Sequence, residues 1–488
     1  MSLFGDHLRS LVEINKVNIY ALTKQAGLER TAIHKIMSGG RIPSDEYVQK
    51  LINALPLSPE ETRKLFDSYH ISRIGETKYK QRLQVKELIE SVAQAENGFG
   101  SGQKPATAVT ALLGEANIVA TGTYAVDNLV KSAILESLTN ERKRSIDFVV
   151  SNDYQYFYYE LLTNYIQNPQ TKLRHIVTFA KKHDFIDNTN ANITLLSQIL
   201  PLAFVSSTGY YPHYIYNAAS DVGFTQAMPY FILISSEKLV LINRDFNRAA
   251  LICDRSIVDM YAESFETMLE QSRPLIRYFD SLLEVTDYFI SVSTKSSTEP
   301  FHWIESEPSL EPLFTKDLIE MAIKQDIPNR DDLIRLIYMN TSFHKENQLQ
   351  NINVCTTDGI SRLIDTGMSY YAPRELVNPV PRKVIKDLLI ELHKRAAKKK
   401  VKILFANPSK ITLLSNTFLA INRLTGLNFL INMSGDTQAS KIVCVSLSED
   451  SINEAFMDFV ENIEESGFVY SEDESVNTLA KIINEIDA

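Results

Sequence analysis

The chain has 488 residues and a formal net charge of −10, with 44% hydrophobic and 23% charged residues. This is the composition of a globular protein of about three domains. The three cysteines Cys253, Cys355 and Cys444 lie far apart, which argues against a disulfide framework or a zinc site and favours a reducing compartment. With no signal peptide and no apolar run of about 18 residues, we expect a cytoplasmic protein without a membrane span.

Residues 19–36, IYALTKQAGLERTAIHKI, have the pattern of two short helices that meet at Gly27. A glycine between two helical segments supplies the positive φ of a tight turn. The inward positions are apolar, namely Leu22, Ala26, Leu28, Ile33 and Ile36. The outward positions of the second segment are Glu29, Arg30, Thr31, His34 and Lys35. The pattern predicts a helix-turn-helix whose second helix could enter the major groove of DNA.

From residue 3 to residue 69 the chain resembles the lambda-repressor-like, or XRE-type, DNA-binding domain. The resemblance includes the helix-turn-helix, the segment SGGRIPS at residues 38–44 and the amphipathic YVQKLINALPLSPEE that follows. Thr23 departs from the family, which usually has alanine there, but its methyl group can pack against the second helix. The resemblance implies a five-helix head that binds a double-stranded DNA operator as a homodimer.

The family also implies roles for individual residues, carried over by position in the motif. Arg30 would pair with guanine or phosphate, and Thr31 and His34 would reach base edges. Phosphate contacts position a protein without reading the sequence. The residues expected to fit the phosphates are Lys24, Gln25, Lys35 and Arg41, and Glu29 shares the exposed face.

The charges are unevenly distributed along the chain. Residues 1–95 contain 14 Lys and Arg against 11 Asp and Glu, and the remaining residues contain 36 against 49. A mildly basic head on an acidic body is typical of a protein that touches nucleic acid with one end only.

A further amphipathic helix is predicted at residues 78–94, as a connector, a dimer contact or a helix that packs on its own chain. The segment ENGFGSGQKP at residues 96–105 has the composition of a flexible linker. Its spaced glycines do not follow a strand, so they do not indicate a dinucleotide site. We therefore predict a head at residues 1–70, a connector and linker at 71–105, a first body domain at 106–295 and a second at 296–488.

Both body domains are predicted to alternate strands and helices, which indicates α/β (α+β) layers. In the first domain, the predicted strands are at residues 117–122, 145–151, 172–179, 230–235 and 238–243. The predicted helices are at residues 123–140, 154–167 and 256–271. The last two strands are predicted to form a hairpin that turns at Ser236 and Glu237. In the second, the strands are at residues 351–356, 401–406, 427–433 and 441–447, and the helices at 316–325, 331–338, 382–400, 451–463 and 476–486. The fold class is thus multidomain, with an all-α head and a two-unit body.

The first body domain distantly resembles half of a phospholipase-D-like enzyme, which ends in two strands, an acidic turn and an F-x-x-x-L helix. Such enzymes need a histidine and a lysine spaced H-x-K, and no histidine of this chain has a lysine two residues later. The resemblance therefore implies a scaffold without the catalytic apparatus.

We find no other enzyme motif, since G-x-x-x-x-G-K-[ST], H-E-x-x-H and G-x-S-x-G are all missing. We expect no catalytic residue, metal or cofactor. The aromatic stretch at residues 209–216 could form the wall of an effector pocket or pack as a structural loop. Its candidate ligand-binding residues are Tyr210, Tyr211, His213, Tyr214 and Tyr216.

The sequence predicts a one-component transcriptional regulator whose body senses a small-molecule or peptide effector and dimerises. Two alternatives stay open. The body could be an enzyme with an unrecognised site, or the protein could be an interaction module of a defence or toxin-antitoxin system with a repressor-like head.

Overall fold

The computed structural model describes the chain except for residues 1, 100–112, 114–115, 140–144, 166–170, 181–188, 207–208, 218–229, 280–283, 285–286, 289, 292–298, 347–350, 371, 373, 414–416, 434–440 and 487–488. The chain divides into two compact units, Met1–Gln84 and Val85–Ala488. We call the first unit the head and the second the body. An all-α head followed by a body with two mixed sheets confirms the predicted fold class.

Five short helices and the start of a sixth form the head. Polar caps begin most of these helices: Asn18 accepts from two backbone N–H groups of α2, and Ser58 and Glu61 form a capping box at α5. The helices are α1 (Leu3–Ile14), α2 (Ile19–Ala26), α3 (Arg30–Met37), α4 (Asp45–Ala54), α5 (Pro59–Ile74) and α6 (Glu76–Phe99). The apolar sides of α1 to α5 meet in one core that includes Phe4, Leu8, Leu22, Ile33, Val48, Leu51, Leu65 and Tyr69.

The body begins with an eight-stranded sheet in the order β1-β7-β6-β5-β2-β3-β4-β8. Its strands are β1 (Ile118–Thr121), β2 (Ser145–Val149), β3 (Lys172–Ala180), β4 (Tyr210–Asn217), β5 (Tyr230–Ile234), β6 (Lys238–Ile242), β7 (Arg248–Ile252) and β8 (Arg273–Pro274). The helices are α7 (Thr123–Thr139), α8 (Gln155–Tyr165), α9 (Thr189–Ser206) and α10 (Arg255–Gln271). The central strand β5, YFILI, is apolar along its length and buried at four of its five positions, as expected for a strand covered on both faces.

A seven-stranded sheet follows, in the order β12-β11-β10-β13-β14-β15-β9. Its strands are β9 (Ile276–Phe279), β10 (His302–Glu305), β11 (Ile352–Cys355), β12 (Lys402–Phe405), β13 (Thr417–Asn422), β14 (Gly426–Met433) and β15 (Lys441–Leu447). The helices are α11 (Lys316–Ala322), α12 (Arg330–Glu346), α13 (Thr357–Thr366), α14 (Arg382–Ala397), α15 (Asp450–Glu461) and α16 (Glu472–Glu485).

The second sheet repeats the layout of the first. Strands β9 to β15 take the places of β1 to β7 in the same order, and the same neighbours are parallel or antiparallel in both sheets. A helix also follows the last hairpin strand of each sheet, α10 after β7 and α15 after β15. The body is therefore two copies of one architecture, which we call the first and second repeats.

Several predicted elements differ from the structure. Helix α6 continues to Phe99, so the first four residues of the predicted linker are helical, and its remaining residues lie outside the described residues. The aromatic stretch is a strand, β4, rather than a loop. Strands β7, β8, β9, β10 and β13 and helices α9 and α13 have no counterpart in the prediction. The predicted hairpin is confirmed, because β5 pairs with β6 across a turn in which Ser235 and Ser236 have φ of 51° and 57°.

Across the described ranges, no helix combines the length and the apolar character that crossing a bilayer requires. In those same ranges, no group of three or more His, Cys, Asp and Glu side chains is placed to hold a metal ion.

Candidate nucleic-acid interface

Helix α3 has one buried side and one exposed side. Ala32, Ile33, Ile36 and Met37 are at most 9% exposed and face the head core. The residues predicted to contact DNA are all exposed: Lys24, Gln25, Glu29, Arg30, Thr31, His34, Lys35 and Arg41. The structure thus brings the predicted residues together on the solvent side of α2, α3 and the following loop. Their contact with DNA stays a prediction.

The turn between α2 and α3 explains how the two helices meet. Gly27 ends α2 in the left-handed region, with φ of 65°, and the N–H of Leu28 donates to the carbonyl of Thr23 at 2.9 Å. Thr23 is 6% exposed, and its hydroxyl donates to the carbonyl of Tyr20 at 2.9 Å. Threonine is tolerated at this position, where the resembling family usually has alanine, because the buried hydroxyl has a hydrogen-bond partner.

A buried tyrosine holds the loop that carries Arg41. The hydroxyl of Tyr69 shares its one proton between Oδ1 of Asp45 at 2.8 Å and the carbonyl oxygen of Pro43 at 3.1 Å. The guanidinium of Arg73 donates to both oxygens of the same carboxylate, at 2.9 and 2.7 Å. Burial, reinforced by the hydrogen bond to Asp45, raises the pKa of Tyr69 to about 12. The hydroxyl therefore remains a donor to a higher pH than that of an exposed tyrosine.

The exposed face is predominantly cationic. Four of its side chains are Lys or Arg and one is Glu, and none of the eight makes a side-chain hydrogen bond or ion pair to a described residue. Cations that are not paired within the protein are available to phosphates. An α-helix also fits the major groove, which is about 12 Å wide.

One exposed residue of this region is missing from the prediction. Tyr20, in the first turn of α2, is 64% exposed. The sequence could have indicated its exposure, because Tyr20 lies outside the apolar positions Leu22 and Ala26 that are predicted to face the core. A tyrosine hydroxyl is among the groups that bind DNA phosphates.

The five residues predicted to bind an effector do not form one surface. They lie on strand β4, where successive side chains point to opposite faces of the sheet. Tyr210 and Tyr214 are 0% and 4% exposed, whereas Tyr211 on the other face is 42% exposed and has the ammonium of Lys172 over its ring. His213 shares the face of Tyr211, and its Nδ1 lies 2.9 Å from the hydroxyl of Ser272.

Tyr210 belongs to a buried hydrogen-bonded group around His175. Nδ1 of His175 lies 2.8 Å from the hydroxyl of Tyr210, and Nε2 lies 3.3 Å from the hydroxyl of Tyr158. Burial lowers the pKa of His175 to about 3, so the ring is neutral at physiological pH. A neutral imidazole with both nitrogens bonded is a satisfied core residue. Within β4, the solvent-accessible residues are the exposed Tyr211 and the half-buried His213, Ile215 and Tyr216.

No family model and no curated relative matches the chain. Similar solved structures include TrmBL2, an archaeal chromatin protein, with 13% identity, a TM-score of 0.24 and coverage of 56% of this chain and 100% of that one. Polyphosphate kinase from Porphyromonas gingivalis has 10% identity, a TM-score of 0.21 and coverage of 71% of this chain and 50% of that one. Phosphatidylserine synthase from Haemophilus influenzae has 8% identity, a TM-score of 0.24 and coverage of 81% of this chain and 97% of that one. Similarities this low do not establish a shared fold or function.

Proposed function

We propose that the chain is an XRE-type transcriptional regulator that acts in the cytoplasm as a homodimer on a double-stranded DNA operator. The observation that carries the proposal is the division of α3 into a buried apolar side and an exposed side with Arg30, Thr31, His34 and Lys35. A helix held in this way presents its outer side chains to base edges.

In this proposal Arg30 reads a guanine or binds a phosphate, and Thr31 and His34 contact neighbouring base edges. Lys24, Gln25, Lys35 and Arg41 bind the phosphates on either side and set the position of the head. Two heads of a dimer would occupy half-sites about 34 Å apart on one face of the DNA.

The body is proposed to be a sensor rather than an enzyme. Its two repeats meet through apolar packing, with the ring of Phe204 edge-on to that of Phe429. Polar contacts also join them: Asn192 donates to Ser451 at 2.9 Å and Tyr216 donates to Glu449 at 2.8 Å. A small molecule or peptide that prefers one arrangement of the repeats would shift the equilibrium between two states of the dimer. Only such differential affinity can couple an effector to operator binding.

The test is the substitution Arg30→Ala, with Arg63→Ala as the control. Arg63 is exposed on α5 and is not among the residues predicted to contact DNA, so its removal changes the head's charge equally without removing a side chain of the proposed face. Arg30→Ala is expected to cost about 1–3 kcal/mol of operator binding and to reduce the preference for operator over random DNA. An unchanged ratio of the affinities for operator and random DNA would contradict the role assigned to Arg30.

A further inference from the structure

Strand β1 is the end strand of the first sheet and is unusually apolar for such a position. Val119 is 77% exposed and Ile118 is 41% exposed, and Tyr124, three residues after the strand ends, is 82% exposed. β1 pairs with β7 on one side, and no strand of the described chain pairs with its other side. We call residues 117–121 the β1 edge.

The backbone direction of the β1 edge follows from its pairing with β7. The N–H of Gly122 donates to the carbonyl of Asn247 at 2.8 Å, in the register that pairs Thr121 with Arg248. In an antiparallel pair, the residues that exchange hydrogen bonds alternate with residues whose N–H and C=O point the other way. The even-numbered residues therefore bond to β7, and Asn117, Val119 and Thr121 direct their backbone groups away from the sheet.

The β1 edge also lacks the features that protect other edges. Proteins usually place charged residues or proline on end strands to prevent pairing with another chain. Residues 116–126, ANIVATGTYAV, contain neither. The equivalent end strand of the second repeat, β9, does carry a charge, the exposed Arg277. The two repeats thus differ at the same topological position.

We propose that the β1 edge pairs with the β1 edge of a second copy of this chain. A twofold axis through Val119 places Val119 opposite its own copy, Ile118 opposite Ala120 and Asn117 opposite Thr121. In this register every outward-facing residue meets an outward-facing residue, so the backbone groups can bond across the axis. No like charges meet, and the exposed Val119 becomes buried between the copies.

This pairing rests on the homodimer of the proposed function and identifies its interface. It joins two eight-stranded sheets into one continuous sheet, and the contact is isologous because the same residues serve on both copies. Its formation does not require DNA, so the interface and the DNA-binding function can be tested separately.

The first experiment is sedimentation of the full chain without DNA over a range of protein concentrations. Two copies of Val119→Glu would place two carboxylates opposite each other, and we expect the dimer to weaken by about tenfold or more. The matched control is Tyr159→Glu, which adds the same charge at a side chain that is 67% exposed on α8. Because Val119 is largely exposed, its replacement leaves the fold of each copy intact.

The second experiment is cross-linking with a short bis-maleimide. Val119→Cys in a Cys253→Ser background is expected to form covalent dimers, because directly opposite Cβ atoms lie about 4.5–5.5 Å apart. The control is Tyr159→Cys in the same background, which should not cross-link.

If wild type and Val119→Glu dimerise equally, or Val119→Cys cross-links no faster than its control, the β1 interface is wrong while the proposed operator binding stands. A wild-type chain that is monomeric at every concentration overturns both the interface and the homodimer. A wild-type chain that does not bind the operator, while Val119→Cys still cross-links, would instead contradict the proposed function alone.

Discussion

The hydroxyl of Tyr216 donates a 2.8 Å hydrogen bond to Oε1 of Glu449, and the two residues belong to different repeats of the body. Oε2 of Glu449 accepts from the N–H of Ile452 at 2.8 Å and from the hydroxyl of Ser451 at 2.6 Å. The carboxylate is 2% exposed and caps α15. Tyr216 therefore satisfies one oxygen of a buried charge and fixes the first repeat to the start of that helix.

Replacement of Tyr216 by phenylalanine should destabilise the body. The change leaves Oε1 of a buried carboxylate without its donor, which costs about 1–3 kcal/mol. Urea unfolding of Tyr216→Phe should show this loss. Tyr211→Phe on the same strand is the control, because Tyr211 is 42% exposed and its hydroxyl bonds to no described residue. Equal stability of the two variants would show that the contact between the repeats does not depend on this bond.

Arg174 and Asp147 offer a second test within the first repeat. The guanidinium makes two 2.6 Å bonds to the carboxylate of Asp147, which is 4% exposed. Arg174→Ala leaves that charge buried and unpaired and should cost about 3–5 kcal/mol of unfolding free energy. By contrast, Arg255→Ala removes an exposed pair with Asp259 and should cost less than about 1 kcal/mol. A small effect of Arg174→Ala would mean that water reaches Asp147.

Titration of His302 should make the body less stable as the pH falls from about 6.5 to about 4. Burial lowers the pKa of His302 to about 4, below the value of about 6.5 for an exposed histidine. In this window the unfolded chain binds a proton that the folded chain does not, so acid favours unfolding. His302→Asn keeps an acceptor for the N–H of Ile352, which lies 3.1 Å from Nδ1, but cannot titrate.

The variant should therefore lose up to about 1.4 kcal/mol per pH unit from the slope of stability against pH. Urea unfolding at several pH values between 4 and 7 measures this slope. A slope identical to that of the wild type would contradict the neutral, buried state of His302. A residual slope is expected in either case, because His175 titrates in the same direction and the buried Glu305 and Glu311, whose pKa values are raised, titrate in the opposite one.

In the head, Gly27→Ala should loosen the turn between α2 and α3. No atom lies within 4 Å of an added Cβ, so the effect comes from the positive φ of 65° alone. The expected cost is about 1 kcal/mol, measured by hydrogen exchange of α2 and α3 amides in the full chain. Gly27→Asn should cost less, because asparagine adopts this conformation more readily. If alanine and asparagine behave alike, backbone strain is not the cause.

The helices of the head could be predicted from the sequence, because each has its own local pattern of apolar spacing or capping residues. Leu22, Ile33 and Ile36 recur at helical spacing, and Ser58 with Glu61 marks a helix start. The exposed face of α3 followed from the same spacing. Its role on DNA did not follow from spacing, since exposure identifies a surface and not its partner.

The body was less predictable where polar residues lie in buried strands. β10 has the sequence HWIE, and both His302 and Glu305 are 2% exposed, so the strand lacks the apolar pattern of a core element. β4 contains Pro212 and four tyrosines, a composition shared with loops and pockets. Tyr216 and Glu449 are 233 residues apart, and only the tertiary fold brings them together. The repeated strand order could not be predicted from local sequence patterns either, because it depends on which strands pair in the folded chain.

The most direct test of the regulator proposal is binding of the full-length chain to its own promoter region, against random DNA of equal length, at two salt concentrations. We predict selective binding in the nanomolar range by a dimer, with an affinity that falls as salt rises because phosphates are neutralised by Lys and Arg. Binding that is absent, or equal for promoter and random DNA, would contradict the account.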